Sequence, residues 1–314
     1  MKNYKYIYGP VPSRRMGKSL GISPIPEKTC NYSCVYCQLG RTNHLTNTRE
    51  EFFPLSEILE ELNDYSTKGQ EFDVISIVGE GEPTLYSRLG ELIQGIKDML
   101  DKPVAVITNG ALLYDKNLRE ELMSADMVLP SVDAYNESIY KKIDRPYGKL
   151  HFNEVSAGLI EFSKEYKGQL YLEIMLVDGI NSSDEDIQGF KEYLKEINYD
   201  KLYINTPVRP PAESNVKAVG HERISHAVKE LNGISIDMLA SGSFYSDTLD
   251  TYDAVLSISS RHPLSHFELI SFLSSRGLDK KAIDDIINRL KKDSRVECID
   301  YNKIITYRSR KSGK

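Results

Sequence analysis

The sequence predicts an α/β protein, an incomplete parallel barrel of six strand–helix units followed by a small C-terminal domain. Short apolar, β-branched runs alternate with longer amphipathic stretches through most of the chain. This alternation is typical of βαβ units and a parallel sheet, and continuous apolar runs fit strands covered on both faces. Polar residues directly follow several of these runs. In parallel α/β barrels that is where the chemistry gathers, at the C-terminal ends of the strands.

The predicted elements follow one another along the chain. We expect the first strand over 21–25 and a late one over 234–238. The strands between them are predicted over 73–78, 103–108, 127–131, 170–177 and 201–205. The helices are predicted over 56–65, 89–99, 117–123, 152–165 and 184–197.

The segment 260–314 has a different pattern. A capping box at Ser265 opens a helix through Leu273, and Asp279 precedes a second helix through Leu290. Two strands should follow, and helix–turn–helix plus a hairpin resembles a winged helix. The predicted division is therefore a barrel domain, a linker and a winged-helix-like domain. Their bounds are 1–245, 246–259 and 260–314, with the final strands over 295–299 and 304–307.

Charge and cysteine content narrow the class of protein. The net charge of −6 divides into +6 for residues 260–314 and −12 for the rest, which hints at two units with different partners. Four cysteines, three of them in one loop, do not form a secreted disulfide framework and indicate a reducing compartment. We find no signal peptide and no membrane span, so we expect a cytoplasmic protein.

The most informative motif is the loop Cys30-x3-Cys34-x2-Cys37. Three thiolates on one loop can hold three irons of a [4Fe–4S] cube and leave the fourth iron open to a small molecule. The alternatives are three unrelated thiols, or three zinc ligands with a distant histidine. The six histidines show no ligand spacing, and we expect surface or capping roles for them. Cys298 is predicted to be a buried, inert thiol.

Three motifs together resemble a known family. The cysteine loop, Gly81-Glu82-Pro83 after the second strand and Thr108-Asn109-Gly110 after the third resemble the radical S-adenosylmethionine (radical SAM) superfamily. The resemblance covers roughly residues 5–240. Within it, the segments 8–15, 37–42 and 205–210 resemble a branch of Fe–S oxidoreductases similar to the demethylwyosine (tRNA) synthases.

The resemblance implies a [4Fe–4S] cluster, S-adenosyl-L-methionine and a set of site residues. Cys30, Cys34 and Cys37 would bind three irons, and the amino and carboxylate groups of S-adenosylmethionine would chelate the fourth. The remaining positions would contact S-adenosylmethionine or substrate. Tyr36 would pack near the adenine or only within its loop, and Gly81 and Glu82 would bind the methionine amine. Asn109 would orient the methionine carboxylate or a neighbouring loop. Ser131 and Asp133 would approach the ribose, and Glu173 or Asn181 would line the ligand.

The implied reaction is reductive cleavage to a 5′-deoxyadenosyl radical that takes hydrogen from a substrate. Modification of a tRNA base is the leading expectation, with a peptide or small metabolite as the alternative. A different class, a nucleic-acid-binding regulator with a redox-sensing cluster, would need no S-adenosylmethionine site. The substrate-side candidates are Arg14, Arg15, Arg209 and Glu213, which would otherwise be surface ion pairs.

Two differences between this sequence and the demethylwyosine synthases bear on which partner proteins it needs. The chain has no second cysteine triad of the kind found in demethylwyosine synthases, and no flavodoxin-like extension. The electron should therefore come from a separate one-electron donor of the flavodoxin or ferredoxin type. The basic C-terminal domain would bind tRNA, bind a peptide, or only pack against the barrel.

Overall fold

The computed structural model describes residues 4–236, 248, 250–301 and 304–310. The N-terminal part contains one large sheet and a separate two-stranded pair. The strands are β1 (Ile7–Ser13), β2 (Gly17–Ile22), β3 (Thr29–Cys30), β4 (His44–Leu45), β5 (Val74–Ile77), β6 (Val104–Thr108), β7 (Met127–Pro130), β8 (Gln169–Met175), β9 (Lys201–Asn205) and β10 (Ile234–Ser235).

The large sheet is open and mostly parallel. Its strand order is β1-β2-β5-β6-β7-β8-β9-β10, and every neighbouring pair except β1–β2 is parallel. Residues from both ends of this order, Val11 and Ile236, line the same cavity, so the sheet curves around it. This is the mostly parallel α/β architecture predicted from the alternating pattern.

Helices connect the parallel strands. In α2, for example, Leu89, Leu92, Ile93 and Ile96 are fully buried, which is the stripe expected of an amphipathic helix packed on a sheet. No helix in the described part of the chain is long and apolar enough to cross a membrane. The helices are α1 (Leu55–Ser66), α2 (Leu89–Met99), α3 (Lys116–Leu122), α4 (Glu137–Ile143), α5 (Phe152–Glu165), α6 (Asp184–Leu194) and α7 (His221–Leu231).

The C-terminal unit packs around its own apolar core. Leu264, Phe272, Leu290 and Tyr307 are among its buried residues. Its small sheet has the order β11-β13-β12, with β12 at an edge. The elements are α8 (Thr251–Arg261), β11 (Leu264–Ser265), α9 (His266–Ser275), α10 (Lys280–Lys292), β12 (Val296–Tyr301) and β13 (Ile304–Ser309).

Two expectations for this unit need correction. Residues 251–259, expected as linker, belong to helix α8, whose Tyr252 and Val255 are buried in the C-terminal core. Cys298 is exposed rather than buried, because it lies on the edge strand β12.

Two differences also appear in the large sheet. The first parallel strand, expected over 21–25, runs over 17–22 instead. Strand β1 was not predicted. It is an edge strand of the sheet, where the prolines at positions 10 and 12 are tolerated. Of the late strand, 234–235 is observed, and positions 237–238 lie outside the described residues.

Candidate active site

The candidate site is a cavity of about 400 Å³ on the concave side of the large sheet. Tyr36 and Cys37 of the cysteine loop line one side of it. Strand residues and the segments that follow β5 and β9 form its walls, as expected for the C-terminal ends of parallel strands. Two residues of the C-terminal unit, His262 and Glu268, also line it.

The cysteine loop is fixed by backbone hydrogen bonds on both sides. The Val35 N–H donates to the Ile143 carbonyl (2.9 Å), and the Glu213 N–H donates to the Val35 carbonyl (3.1 Å). The Glu213 carboxylate also binds Arg41 at 2.8 Å through two nitrogens and Arg145 at 2.5 Å. These paired charges hold the pKa of Glu213 down to about 2. We call Arg41, Arg145 and Glu213 the Glu213 clamp. It joins the end of the cysteine loop to two segments that lie far away in the chain.

The three thiols lie in a partly buried setting beside a buried carboxyl group. Burial raises the pKa of Cys30 and Cys34, with smaller contributions from neighbouring thiols and carboxylates. Cys34 Sγ lies 3.6 Å from Asp144 Oδ1, and Asp144 is 4% exposed. Asp144 was not among the predicted site residues, and neither motif nor spacing in the sequence distinguishes it.

The buried side chain of Glu82 connects the segment after β5 to the end of β6. Its Oε1 accepts hydrogen bonds from the Thr84 N–H (2.9 Å) and from the hydroxyls of Thr84 and Thr108 (both 2.6 Å). Its Oε2 accepts from the Asn109 N–H at 2.7 Å. All four donors belong to the protein, so in this structure the carboxylate connects the ends of the two strands.

Gly81 allows these strand ends to meet the cysteine loop. A Cβ at this position would lie 1.9 Å from the Thr29 carbonyl oxygen, immediately before Cys30. Next to it, the Glu82 N–H donates to that same oxygen at 3.0 Å. Only glycine permits so close an approach of the two backbones. The Gly81-Glu82 motif therefore holds the loop at its first cysteine.

Asn109 connects the same region to the loop from the other side. Its Nδ2 donates to Asn31 Oδ1 at 2.6 Å and lies 3.7 Å from Cys30 Sγ. Its Oδ1 accepts from the Ala111 N–H at 2.9 Å. These contacts connect Asn109 to the cysteine loop, and its other expected role, at the carboxylate of S-adenosylmethionine, stays a prediction.

Asp133 fixes Tyr36, the residue before Cys37. Its Oδ2 accepts a short hydrogen bond from the Tyr36 hydroxyl, and its Oδ1 accepts from the Met175 N–H at 2.7 Å. Burial raises the pKa of Asp133. Asn181, expected near the ligand, is instead fully buried and donates to the carbonyls of Asp133 and Met175, both at 2.9 Å.

The lining of the cavity is rich in charged residues. Arg15 pairs with Glu173, whose Oε1 also accepts from Asn205 at 3.1 Å. Arg209 binds Glu268 of the C-terminal unit at 3.0 Å, and Arg14 lines the same cavity. Three of the four substrate-side candidates therefore meet in one cavity.

Nine of the predicted site residues do not line the large cavity: Cys30, Cys34, Gly81, Glu82, Asn109, Ser131, Asp133, Asn181 and Glu213. Glu213 belongs to the loop clamp, and Ser131 lines a separate void of about 30 Å³ with Asn109 and Asp133. His262 caps α8, as expected for one of the histidines, but it also faces the cavity. Sequence reasoning did not assign His262 or Glu268 to the site, because only the docking of the C-terminal unit brings them there.

An open parallel α/β sheet with a three-cysteine loop at its strand ends defines a class of Fe–S enzymes. The chain matches the Radical SAM superfamily over residues 25–194 and belongs to it. The UPF0026 protein MJ1312 of Methanocaldococcus jannaschii is 36% identical over 309 residues, which is 96% of this chain and 94% of that one. A UPF0026 protein of Helicobacter pylori is 32% identical over 91% of this chain and 93% of its own length.

Two further similarities are more limited. A probable GTP 3′,8-cyclase of Methanocaldococcus jannaschii is 35% identical over 119 residues, 37% of this chain and 37% of that one. The solved structure of native anSMEcpe with bound AdoMet covers 68% of this chain and 59% of its own, with a TM-score of 0.52 and 21% identity. The latter shows that the fold is shared. Membership of the superfamily confirms the predicted class of radical SAM enzyme with its [4Fe–4S] and S-adenosylmethionine cofactors.

Proposed function

We propose that this radical SAM enzyme abstracts hydrogen from a substrate held in the 400 Å³ cavity. The observation that carries the proposal is that Tyr36 and Cys37 of the cysteine loop line this cavity together with the strand-end residues Glu173 and Asn205. A cluster held by Cys30, Cys34 and Cys37 would supply one electron for the reductive cleavage of S-adenosylmethionine to methionine and a 5′-deoxyadenosyl radical, which would take a hydrogen atom from the substrate.

The donor set fits such a cluster. Cys30, Cys34 and Cys37 are free thiols on one loop, and thiolates are the usual ligands of Fe–S clusters. Burial raises the pKa of Cys30 and Cys34, and iron binding displaces the thiol protons, so binding of the cluster should depend on pH. The loop is already held in place by Gly81 and by the Glu213 clamp.

We assign the remaining residues to two roles. Tyr36, Glu173 and the segment around Gly81 are the candidates for contact with S-adenosylmethionine or substrate, since Tyr36 and Glu173 line the cavity. Ser131 remains a candidate for the ribose. The internal hydrogen bonds of the others support positioning roles; these residues are Glu82, Asn109, Asp133 and Asn181.

We favour modification of a tRNA base. The support is the basic C-terminal unit, which we propose to be winged-helix-like, and the resemblance to tRNA-modifying synthases. A small metabolite is the second candidate, because the partial similarity to a probable GTP 3′,8-cyclase covers 37% of this chain. A peptide substrate stays possible under the same mechanism.

We also propose an external flavodoxin- or ferredoxin-type electron donor and a cytoplasmic location. The support for the location is the set of four free cysteines, which suits a reducing compartment. The donor follows from the reaction, which needs one electron per cleavage.

Formation of 5′-deoxyadenosine tests the proposed reaction. The protein is reconstituted anaerobically with iron and sulfide, then incubated with dithionite and S-adenosylmethionine. We expect about four irons per chain and slow 5′-deoxyadenosine formation without substrate. A cluster that forms without any cleavage would contradict the proposal and favour a redox-sensing regulator.

Binding of tRNA is tested separately by filter binding at low and moderate salt. Changing Lys280, Lys281, Lys291 and Lys292 together to Gln should weaken binding and flatten its salt dependence, because each cation displaces counterions from phosphates. The control changes four exposed lysines of the barrel, Lys116, Lys141, Lys167 and Lys195, to Gln. Equal binding by both variants would remove the C-terminal unit from tRNA recognition.

A further inference from the structure

A partly exposed segment packs against the cysteine loop outside the cavity. Leu45 of β4 pairs with Cys30 of β3, and the Thr46 N–H donates to the Cys30 carbonyl at 3.0 Å. Leu45 itself is 42% exposed. The cavity contacts the loop at a different stretch, residues 36–39. Outside the cavity, the molecular surface therefore lies one strand away from a cysteine of the loop.

A second segment packs against the loop through its backbone. The Tyr147 N–H donates to the carbonyl of Asn31, the residue after Cys30, at 2.7 Å. Three basic side chains of this segment are exposed, Lys142, Arg145 and Lys149. The segment therefore places positive charge close to the loop on its solvent side.

The surface that these two segments form is basic, although the whole chain carries a net charge of −6. Residues 27–47 and 137–149 together with Glu213 contain six basic and four acidic residues, and one of the acids, Asp144, is buried. The other acids are Glu27, Glu137 and Glu213. We call the six basic residues and Leu45 the outer face of the loop; the basic residues are Lys28, Arg41, Lys141, Lys142, Arg145 and Lys149.

The ion pairs within this region leave an excess of positive charge. Glu213 is 12% exposed, whereas its partners Arg41 and Arg145 are 70% and 45% exposed. One carboxylate thus faces two guanidinium groups, and solvent reaches mainly the positive charges. The pair of Lys141 with Glu137 at 2.9 Å is neutral in sum. The outer face therefore presents a net positive charge around an exposed apolar side chain.

We propose that the outer face of the loop is the docking surface for an acidic one-electron carrier protein that reduces the cluster. The inference rests on the proposed function, which requires an external donor. Electron transfer slows steeply with distance, and Cys30 lies one strand away from the exposed Leu45. Basic residues around an apolar contact fit an acidic carrier, since opposite charges steer and orient association. One electron passes from the reduced carrier to the cluster, and no atom is transferred.

A nucleic acid is the other polyanion that a basic surface could bind, and the location favours the carrier. A tRNA base would have to enter the cavity, which contacts the loop at residues 36–39. An electron has only to reach the cluster, and the outer face lies next to Cys30.

Reversing the charge of two lysines tests the docking surface. The double variant Lys142→Glu, Lys149→Glu is chosen because Arg41 and Arg145 also hold the loop through Glu213. Binding of an acidic flavodoxin and of an acidic ferredoxin to the reconstituted protein is measured by biolayer interferometry. We expect at least one carrier to bind the double variant about tenfold more weakly than the wild type at low salt. The difference should shrink at high salt, which screens exposed charges.

The same preparations report on electron delivery. 5′-Deoxyadenosine formation is measured with the enzymatically reduced carrier and, separately, with dithionite, which needs no docking surface. The ratio of the carrier-driven rate to the dithionite-driven rate should fall by about tenfold in the double variant, in line with the loss of binding.

A matched double variant is the control for charge. Lys164→Glu, Lys167→Glu makes the same change at the end of α5 and in the segment before β8, at the N-terminal end of that strand. It should bind the carrier as the wild type does, and melting curves establish that each variant is folded. Equal losses in the two double variants, or no saturable binding of either carrier by the wild type, would overturn the proposal.

Two single variants test the apolar contact. Leu45→Ser should weaken carrier binding at low and at high salt alike, because it removes apolar surface and no charge. Met123→Ser, at a side chain of similar exposure after α3, is the control and should have no effect. Equal carrier binding by these two variants would remove Leu45 from the docking surface and contradict the proposed contact.

Filter binding of bulk tRNA to the same variants tests the alternative occupant. A loss of tRNA binding in Lys142→Glu, Lys149→Glu without a loss of carrier binding would assign the outer face to nucleic acid and overturn the proposal.

Dithionite-driven cleavage by the wild type separates this proposal from the one it rests on. Cleavage with dithionite, together with unchanged carrier binding in Lys142→Glu, Lys149→Glu, overturns the docking surface alone. Carrier binding that depends on these lysines, without cleavage under either reductant, overturns the radical reaction and leaves the docking surface standing.

Discussion

Two groups of residues at the site are built in different ways. In the first group, one short loop supplies all three thiols, and hydrogen bonds accepted by Glu82 and Asp133 or donated by Asn109 fix its surroundings. In the second group, Arg14 and Arg209 from the barrel line the cavity together with His262 from the C-terminal unit. The first group is a local sequence motif, whereas the second comes together only because the C-terminal unit packs against the barrel.

The largest effect should come from removing a cluster ligand. Ala at Cys30, Cys34 or Cys37 should abolish both iron retention and 5′-deoxyadenosine formation, because the cluster then lacks one of three thiolates. The matched control is Cys298→Ala, which removes the exposed thiol on β12. Iron analysis and chromatography of the reaction mixture provide the readouts. Turnover in any of the three loop variants would show that the loop does not hold the cluster.

The next largest effect should come from Gly81→Ala. Its Cβ would lie 1.9 Å from a backbone oxygen, so either the loop or the strand end must move. We expect a loss of about 2–3 kcal/mol in the free energy of unfolding, in the range of overpacked sites. Urea unfolding of the protein measures it. Gly148→Ala is the control, since a Cβ there meets nothing within 4 Å, and equal stability of the two variants would refute the close-approach argument.

A smaller loss is expected for Glu82→Gln. Glutamine offers one acceptor oxygen where the carboxylate offers two, so a buried donor from Thr84, Thr108 or Asn109 loses its partner. The expected cost is about 2 kcal/mol in unfolding free energy. Glu120→Gln, at an exposed i,i+4 pair with Lys116, should change stability by less than about 0.5 kcal/mol. Similar values for both would mean that Glu82 does not hold the strand ends together.

The comparison of the two groups of residues also shows how much of the fold and of the site the sequence predicts. Strand β9 and helices α2 and α5 have the predicted bounds, because continuous apolar runs and 3.6-residue periodicity are local signals. The cysteine loop could be predicted for the same reason, because the spacing of its three thiols is a local pattern in the sequence. The sequence predicts the positions of these residues better than their roles. Nothing in the local sequence shows that the carboxylate of Glu82 accepts hydrogen bonds from donors within the protein.

The second group, Arg14, Arg209 and His262, has little local signal in the sequence. Arg14 and Arg209 became candidates through the family resemblance, but in the sequence His262 is an ordinary residue at the end of a helix. Its place in the cavity depends on how the C-terminal unit packs against the barrel, which no periodicity encodes. Glu213 forms ion pairs, which was the alternative role expected for it, but the sequence could not identify its partners, because Arg41 and Arg145 lie far away in the chain.

The smallest effect should come from Glu213→Gln. Glu213 contacts two arginines that are largely exposed, so we expect less than about 1 kcal/mol in unfolding free energy. The loop should nevertheless open more often, and iron loss to a chelator should be faster than in the wild type. Glu222→Gln, on the exposed face of α7, is the control. Identical rates of iron loss in the two variants would mean that the clamp does not hold the loop.

The central claim is that the cysteine loop and the cavity form one site where S-adenosylmethionine meets the cluster. Electron paramagnetic resonance of the dithionite-reduced protein tests it most directly. We predict a [4Fe–4S]⁺ signal in the wild type and in Cys298→Ala, no such signal in Cys34→Ala, and a change of the signal on adding S-adenosylmethionine. A reduced cluster whose spectrum S-adenosylmethionine leaves unchanged would contradict the account.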